Sequence, residues 1–470
     1  MHASMFNVRV PMADRNEVFL MNTFSDAQML VTPDVATLLD RVSRGDSAFD
    51  TDERETIDAL LENGFVVESR ESEQASLSEY FTNMREDTEQ LRATVLTTLQ
   101  CNFACDYCFQ GDHGDYNKFA HKMSLETAAQ VVKWVEQRLD EVRPKKFMLT
   151  LFGGEPLLNL PVAYYLAEQC HAACASRGVK QGISLITNGL LLTPDVVDRL
   201  TPYGLAGVKV TLHGDRDTHN RMRPLRGGQG TFDKIVENVR RVASKVSITI
   251  GGNFDMESAD SYPALLDFLR EQDFADKLAR VNFKPIIKST DLSPKGVIPL
   301  TVVGEGGAPL NGTCMTSAGA GGGLGSSACD TCHFVDEKLA FLRDETRKRG
   351  FPTADGVHMG PCEIHRRHAH TIGPEGSLYV CPGFTGDPTE SIGRIDERQE
   401  TWHQAAAARF AHLSPHKDEC GDCAYIPVCG GGCSVAAHTE LGDMHDKSCH
   451  KGAFESAVVS LAQQSVAAMA

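Results

Sequence analysis

No stretch of the 470 residues stays apolar for the roughly 18 to 20 positions that a membrane helix needs. The first residues, Met1-His-Ala-Ser-Met-Phe-Asn-Val-Arg-Val, contain no basic region followed by an apolar core. These absences speak against a membrane-spanning helix and an export signal, and the expectation is a cytoplasmic protein. Basic charge is also scarce. Forty-six Lys and Arg face 63 Asp and Glu, a net charge of -17, which excludes the concentrated cationic surface that nucleic acid requires. Cysteine is not scarce: there are 15. Without an export signal they point away from a disulfide framework and toward thiolate ligands in a reducing compartment. Hydrophobic content of 41% and charged content of 23% are those of an ordinary globular chain, and the length allows two to four domains.

Residues 1–70 read as a small unit of their own. Strand-like runs at 6–10, 18–22 and 27–31 are separated by polar turns. A helix is expected from Thr32-Pro33 to Ser43, with proline in its first turn. Asp52 and Glu55 suggest a capping box for a second helix that stops at Asn63-Gly64, after which 65–67 return as a strand. Residues 71–92 are rich in Glu, Asp and Arg and read as a solvated helix or linker.

From residue 93 the pattern becomes α/β. Strands are expected at 93–98, 147–151, 184–187, 208–212, 247–250 and 281–285, with helices such as 124–140 and 231–242 between them. Six strand-helix repeats imply a parallel sheet with right-handed crossovers, too few for an eight-fold barrel. After the first strand comes Cys101-Asn-Phe-Ala-Cys105-Asp-Tyr-Cys108. Three thiolates on one loop can each take one iron of a 4Fe-4S cube and leave the fourth iron open, whereas electron-transfer clusters normally fill all four positions with cysteine. S-adenosylmethionine suits that vacancy, since its amino and carboxylate groups can chelate one iron. A zinc loop is the alternative reading of the same three residues.

The run, with Tyr107 before its last cysteine, resembles the signature of the radical S-adenosylmethionine superfamily. That resemblance implies a partial (β/α)6 barrel over residues 93–290 and cleavage of S-adenosylmethionine to a 5'-deoxyadenosyl radical that removes a hydrogen atom from a substrate. It also implies a reductant of flavodoxin or ferredoxin type. Gly153-Gly154-Glu155-Pro156, after the second strand, is similar to the family's GGEP motif, which contacts the amino group of S-adenosylmethionine. Thr187-Asn188-Gly189 resembles its TNG. Thr211-Leu-His-Gly214 stands where many relatives have Ser-Leu/Ile-Asp-Gly, so Thr211 keeps the hydroxyl while His213 replaces the usual Asp. Arg223 and the pattern Gly228-x-Gly230-Thr-Phe232 fall where sulfatase-maturase-like members carry theirs. Turn chemistry for Asn188, strand capping for Thr211 and a surface ion pair for Arg223 are the competing explanations. Cys170 and Cys174, four apart on a helix, are expected to pack as small hydrophobes.

Residues 291–340, glycine-rich over 300–328, read as an insertion or bridge carrying Cys314, Cys329 and Cys332. The C-terminal quarter holds Cys362, Cys381, Cys420-x2-Cys423-x5-Cys429-x3-Cys433 and Cys449. This arrangement resembles the seven-cysteine SPASM domain over 341–455, followed by a C-terminal helix at 456–470. The resemblance implies two auxiliary 4Fe-4S clusters, three in all: Cys420, Cys423, Cys429 and Cys449 for the outer one, and Cys362, Cys381 and Cys433 for the inner. The inner set is one ligand short, because position 356 is Gly. Either an iron stays open there or Cys329 or Cys332 closes it. Sulfatase-maturing relatives place an Asp after the cysteine equivalent to Cys381, and here it is Pro382, which cannot take a proton. The N-terminal unit resembles the winged-helix RiPP recognition element, a PqqD-like module that holds a leader peptide as an added strand. The combined expectation is a peptide maturase that crosslinks a ribosomal precursor peptide. Maturation of another protein's active site and an iron-sulfur electron-transfer protein are the alternatives.

Overall fold

The computed structural model describes residues 1–470 except 13, 109, 111–116, 119, 287–329, 355, 356, 359, 413–419, 442, 450 and 470. The glycine-rich stretch with Cys314 and Cys329, position 356 and the side chain of Cys332 lie outside the described residues.

The chain opens with β1 (His2–Ala3), β2 (Asn7–Met12), β3 (Glu17–Asn22) and β4 (Gln28–Val31), continues through α1 (Pro33–Ser43) and α2 (Thr51–Glu62), and returns as β5 (Val66–Val67). β2, β3 and β4 form an antiparallel meander, and β1 pairs with β5. The capping box of α2 lies two residues earlier than Asp52 and Glu55: Asp50 accepts from the Glu53 amide at 2.9 Å and Glu53 accepts from the Asp50 amide at 3.0 Å. Both pairs have the same spacing. Phe49, buried just ahead of Asp50, fixes where the chain leaves the core and so selects the earlier one.

Of the two readings of residues 71–92 the helix holds, but it is docked rather than solvated. It is α3 (Arg70–Glu86), capped by Ser69, and residues 90–92 already belong to the next strand. Leu77, Phe81 and Met84 recur at helical spacing and bury one stripe of α3, so few apolar anchors suffice to dock it. Glu73, also buried, accepts from the Ser4 hydroxyl and the Met5 amide, which ties α3 to the first strand.

The six expected parallel strands follow: β6 (Gln90–Leu96), β7 (Lys146–Phe152), β8 (Lys180–Thr187), β9 (Leu205–Thr211), β10 (Ile248–Phe254) and β11 (Leu278–Pro285). Between them run α4 (Leu125–Val142), α5 (Leu160–Ala175), α6 (Pro194–Leu200), α7 (Arg216–Met222), α8 (Phe232–Val242) and α9 (Tyr262–Arg270). Alternate residues such as Leu91, Ala93 and Val95 on β6 or Val208 and Val210 on β9 are buried against the helices. Their neighbours therefore face the opposite, inner side.

The C-terminal part comprises α10 (Asp330–Lys348), β12 (Ala369–Ile372), β13 (Ser377–Tyr379), β14 (Gly393–Arg394), α11 (Gln399–His412), α12 (Ile426–Cys429), α13 (Ser434–Leu441) and α14 (Lys451–Met469). The last helix thus begins at Lys451 rather than 456. β12 pairs in parallel with β6, Ile372 opposite Val95, so the sheet grows to nine strands in the order β11-β10-β9-β8-β7-β6-β12-β13-β14. The N-terminal unit packs on this part: Phe19 and Met21 share a core with Tyr425, Val428, Ala457 and Val458, and Phe6 and Phe81 share one with Ile426. Among the described residues no helix is long and apolar enough to cross a membrane.

Candidate functional site

Cys101 follows β6 by five residues, on a loop held from several sides. The Cys101 carbonyl accepts from Asn117 Nδ2 at 2.9 Å and from Arg226 Nε at 3.0 Å, while Arg226 also donates to Asn117 Oδ1 at 2.7 Å. The Ala104 amide donates to the Pro224 carbonyl and the Arg226 amide to that of Asn102. Asn117 sits at φ 61°, a conformation that asparagine tolerates better than most residues. Asn117 and Arg226 carry no sequence motif, and only the fold reveals them.

The thiols of Cys101, Cys105 and Cys108 converge. Burial pushes Cys101 up to about 12, and Glu155, Cys105 and Cys108 raise it further; Cys108 is raised by burial and by Cys105. A buried thiol held this firmly in its protonated form needs a metal's positive charge to ionise. Among the described residues no three His, Cys, Asp or Glu side chains lie close enough to share a single ion. Three cysteines on one loop are a donor set that suits an iron-sulfur cluster with one iron left to another ligand.

Gly153 and Gly154 lie directly on the approach to this loop. The Gly154 amide donates to the Thr98 carbonyl at 2.9 Å and that of Glu155 to the Gln100 carbonyl at 2.8 Å. A Cβ on Gly154 would stand 2.4 Å from the Gln100 oxygen, and Gly153 has φ +140°. The Glu155 side chain is fully buried and binds its neighbours together: Oε1 accepts from the Leu157 amide at 3.0 Å and the Thr187 hydroxyl at 2.8 Å, and Oε2 from the Asn188 amide at 2.7 Å. Burial raises its pKa to about 6 against the lowering effect of those hydrogen bonds. Asn188 accepts from the Leu190 amide, as a turn residue does. Its Nδ2 also donates to Asn102 Oδ1 at 2.7 Å and reaches Cys101 Sγ at 4.0 Å.

Arg223 is no surface ion pair. It is buried, donates to the Tyr107 hydroxyl at 2.6 Å and lies 5.2 Å over the Phe103 ring. Tyr107 stacks on His213, centroids 5.0 Å apart and planes 30° from parallel. His213 therefore acts as a flat neutral platform, its pKa kept well below the usual range by burial and by Arg223. Behind it His219 Nδ1 accepts from the His213 amide at 3.1 Å, His219 Nε2 lies 3.0 Å from the Thr231 hydroxyl, and that hydroxyl donates to the Arg223 carbonyl at 2.8 Å. His219 is a residue that sequence reasoning missed. Thr211 ends β9 beside Gly251 of β10. Cys170 and Cys174 are buried in the core.

The C-terminal cysteines gather in two groups. The Cys381 thiol is pushed up to about 12 by burial and further by Cys362 and Cys433, while Cys429 is pushed up to about 11 by burial and by Cys420, Cys449 and Cys423. Cys101, Cys105 and Cys381 all pack against one hydrophobic core that runs from the barrel helices to Trp402.

Residues 95–269 match the family model described as the radical SAM superfamily. Among curated proteins the chain is 27% identical over 161 residues to the radical SAM cyclopropyl synthase TigE of Paramaledivibacter caminithermalis. That match covers 32% of this chain and spans only 34% of the relative's length. It is 26% identical over 399 residues to the Fe-coproporphyrin III synthase of Methanosarcina barkeri, 75% of this chain and 86% of that one. Among solved structures, native anSMEcpe with bound AdoMet aligns at a TM-score of 0.59 and 20% identity over 79% of this chain and 98% of its own. The same protein with AdoMet and Kp18Cys peptide gives 0.57 and 19%, covering 80% and 98%. Streptococcus suis SuiB bound to S-adenosylmethionine gives 0.50 and 13%, covering 96% and 99%. These structures share the fold, and residues 95–269 are a radical SAM domain, the domain of enzymes that use S-adenosylmethionine.

Proposed function

We propose that this enzyme modifies a ribosomally made precursor peptide by closing a crosslink, either a thioether or a carbon–carbon bond. The observation that supports the reading is that Cys101, Cys105 and Cys381 pack against a single hydrophobic core, the arrangement expected if a radical site and an electron acceptor share one rigid body. In this reading Cys101, Cys105 and Cys108 hold the first 4Fe-4S cluster, Cys420, Cys423, Cys429 and Cys449 an outer auxiliary one, and Cys362, Cys381 and Cys433 an inner one. When bound, the first cluster and S-adenosylmethionine supply a 5'-deoxyadenosyl radical. Tyr107, held by Arg223 and stacked on His213, and the loop closed by Gly153, Gly154, Glu155 and Asn188 would hold S-adenosylmethionine, and the Thr211 hydroxyl would serve its carboxylate. Pro382 offers no base after Cys381, which speaks against formylglycine formation.

The N-terminal unit is proposed as a winged-helix-like module for the leader of the precursor. Its support is the meander β2-β3-β4, in which β4 has a strand on one side only among the described residues and so presents an edge for an added strand. A peptide bound in a structure of the same fold, that of anSMEcpe, agrees with this substrate class. A flavodoxin- or ferredoxin-type protein is the proposed reductant.

The test is co-expression with a short peptide encoded beside the gene, followed by mass spectrometry. A loss of two hydrogens per event, absent when the leader is removed, is expected. An unchanged peptide mass with normal 5'-deoxyadenosine release would sink the crosslinking reading. The long match to Fe-coproporphyrin III synthase favours an iron porphyrin as a second reading, and a spectral titration with Fe-coproporphyrin III separates the two.

A further inference from the structure

The protein carries a net charge of -17, yet strands β6 to β11 contain no Asp or Glu at all. Their charged residues are basic, and Arg92, Lys146, Lys180, Lys209, Arg280 and Lys284 alternate with residues buried against the helices, which puts them on the inner face. Arg92 is paired with Glu363. Lys209 is different. It follows Val208 and precedes Val210, both in the helix-facing core, and Lys209 lies across the neighbouring strand. An ideal Cβ on Gly251 would stand 2.7 Å from Lys209 Cε and 3.6 Å from Nζ, so the lysine lies in the space that glycine leaves at 251. Gly251 pairs with Thr211 on one side and Asn282 on the other, which carries the ammonium from the level of Thr249 toward the ends of the strands where the cysteine loop begins.

Lys284 stands two residues beyond Asn282 on the same face of β11. Its charge is felt by Lys209. Burial, aided by Lys284, brings Lys209 down to about 8. Lys209 is half-buried and Lys284 exposed, only β10 separates their strands, and neither has a carboxylate partner among the described residues, so two like charges share one face until an anion lies between them.

We infer that Lys209 and Lys284 form a carboxylate-binding site on the inner face of the barrel at its open edge, at the strand ends that lead to the Cys101 loop, that holds an acidic part of the substrate peptide during reaction. This deepens the peptide reading and rests on it for the identity of the substrate. Two sources share the chemistry: an Asp or Glu side chain near the modified residue, or the free C-terminus of the peptide.

The experiment uses the anaerobically reconstituted protein loaded with S-adenosylmethionine, so that the cofactor's own carboxylate is already placed. Three tripeptide probes are titrated by ligand-observed NMR: acetyl-Ala-Glu-Ala amide, acetyl-Ala-Gln-Ala with a free carboxyl, and acetyl-Ala-Gln-Ala amide. One acidic probe is expected to bind about tenfold more tightly than the neutral one, and which of the two does so identifies the source. Lys209→Met and Lys284→Met should each cut that preference at least about fivefold. Lys209→Arg should keep most of it, and the exposed control Lys234→Met all of it. Equal binding of all three probes, or an intact preference in both methionine variants, overturns the assignment. If Lys209→Met fails to hold iron, the exposed Lys284→Met decides alone. Binding is read without a leader and without turnover, so an unmodified precursor and an indifference to charge are separate failures.

Discussion

Gly154→Ala is the sharpest probe of how the site is assembled. The added methyl group would meet three backbone atoms, the Gln100 oxygen at 2.4 Å, the Leu99 oxygen at 2.5 Å and the Gln100 carbonyl carbon at 2.7 Å. None of these can rotate aside as a side chain would. The two segments must therefore part by roughly 1 Å before the contacts become ordinary. That separation breaks the bonds from Gly154 to Thr98 and from Glu155 to Gln100, 2.9 and 2.8 Å long. At about 0.5–1.5 kcal/mol for each hydrogen bond plus about 1–3 kcal/mol for the overpacking, the cost is about 2–6 kcal/mol, placed on the residues immediately before Cys101. A shift of about 1 Å in reacting groups can slow a reaction by about two orders of magnitude. Iron content and 5'-deoxyadenosine release, measured on anaerobically reconstituted protein, read the effect. The variant should lose most of its 5'-deoxyadenosine yield with reduced or heterogeneous iron. Gly178→Ala is the control, since Gly178 has φ +68° but nothing within 4 Å; it costs about 1 kcal/mol of backbone strain and leaves iron unchanged. Full iron and full turnover in Gly154→Ala would refute the account of the loop.

Glu155→Gln should destabilise by about 2–4 kcal/mol and weaken S-adenosylmethionine binding, because a neutral amide cannot accept from the Leu157 and Asn188 amides and the Thr187 hydroxyl on both its ends; chemical denaturation and a ligand titration check it. Burial is the first cause of the low pKa values of His365 and His368, both about 4, and of His370, well below its usual range. Histidines kept neutral by the fold stabilise it above the unfolded pKa of about 6.5, and this contribution is lost as pH falls from there toward 4. Unfolding free energy should be flat above pH 6.5 and fall by about 1.4 kcal/mol per pH unit for each fully buried histidine below it, with a shallower slope in His370→Phe. Deleting residues 1–69 should yield an aggregating protein rather than a leader-independent enzyme, since it uncovers Tyr425, Val428 and Val458; a monodisperse, folded product by light scattering would count against the packing described.

Much of the architecture was legible in the chain because it depends on local periodicity. Strands β6 to β11 announce themselves by apolar alternation between helix-spaced segments, and the spacing of Cys101, Cys105 and Cys108 marks their loop. What stayed hidden is non-local or brief. The stripe Leu77, Phe81 and Met84 is submerged among the charges of α3. β12 is four residues long, and its partner β6 lies far away in sequence. The clasp between Arg226 and Asn117 spans 109 positions, and no short motif encodes it. His213 looked like a departure from a familiar acid. Its meaning, a surface on which Tyr107 rests, appears only once both rings are placed.

The hydrogen bonding of β12 to β6 has an electronic consequence. Tunnelling between redox centres falls off steeply with separation, so a donor and an acceptor on independently moving lobes would exchange electrons at a fluctuating rate. Here the strand leading to Cys101 and the strands leading to Cys381 belong to one pleated lattice. If Cys101 and Cys381 hold clusters as proposed, the gap an electron must cross is built into the backbone, and no hinge has to close before it can move.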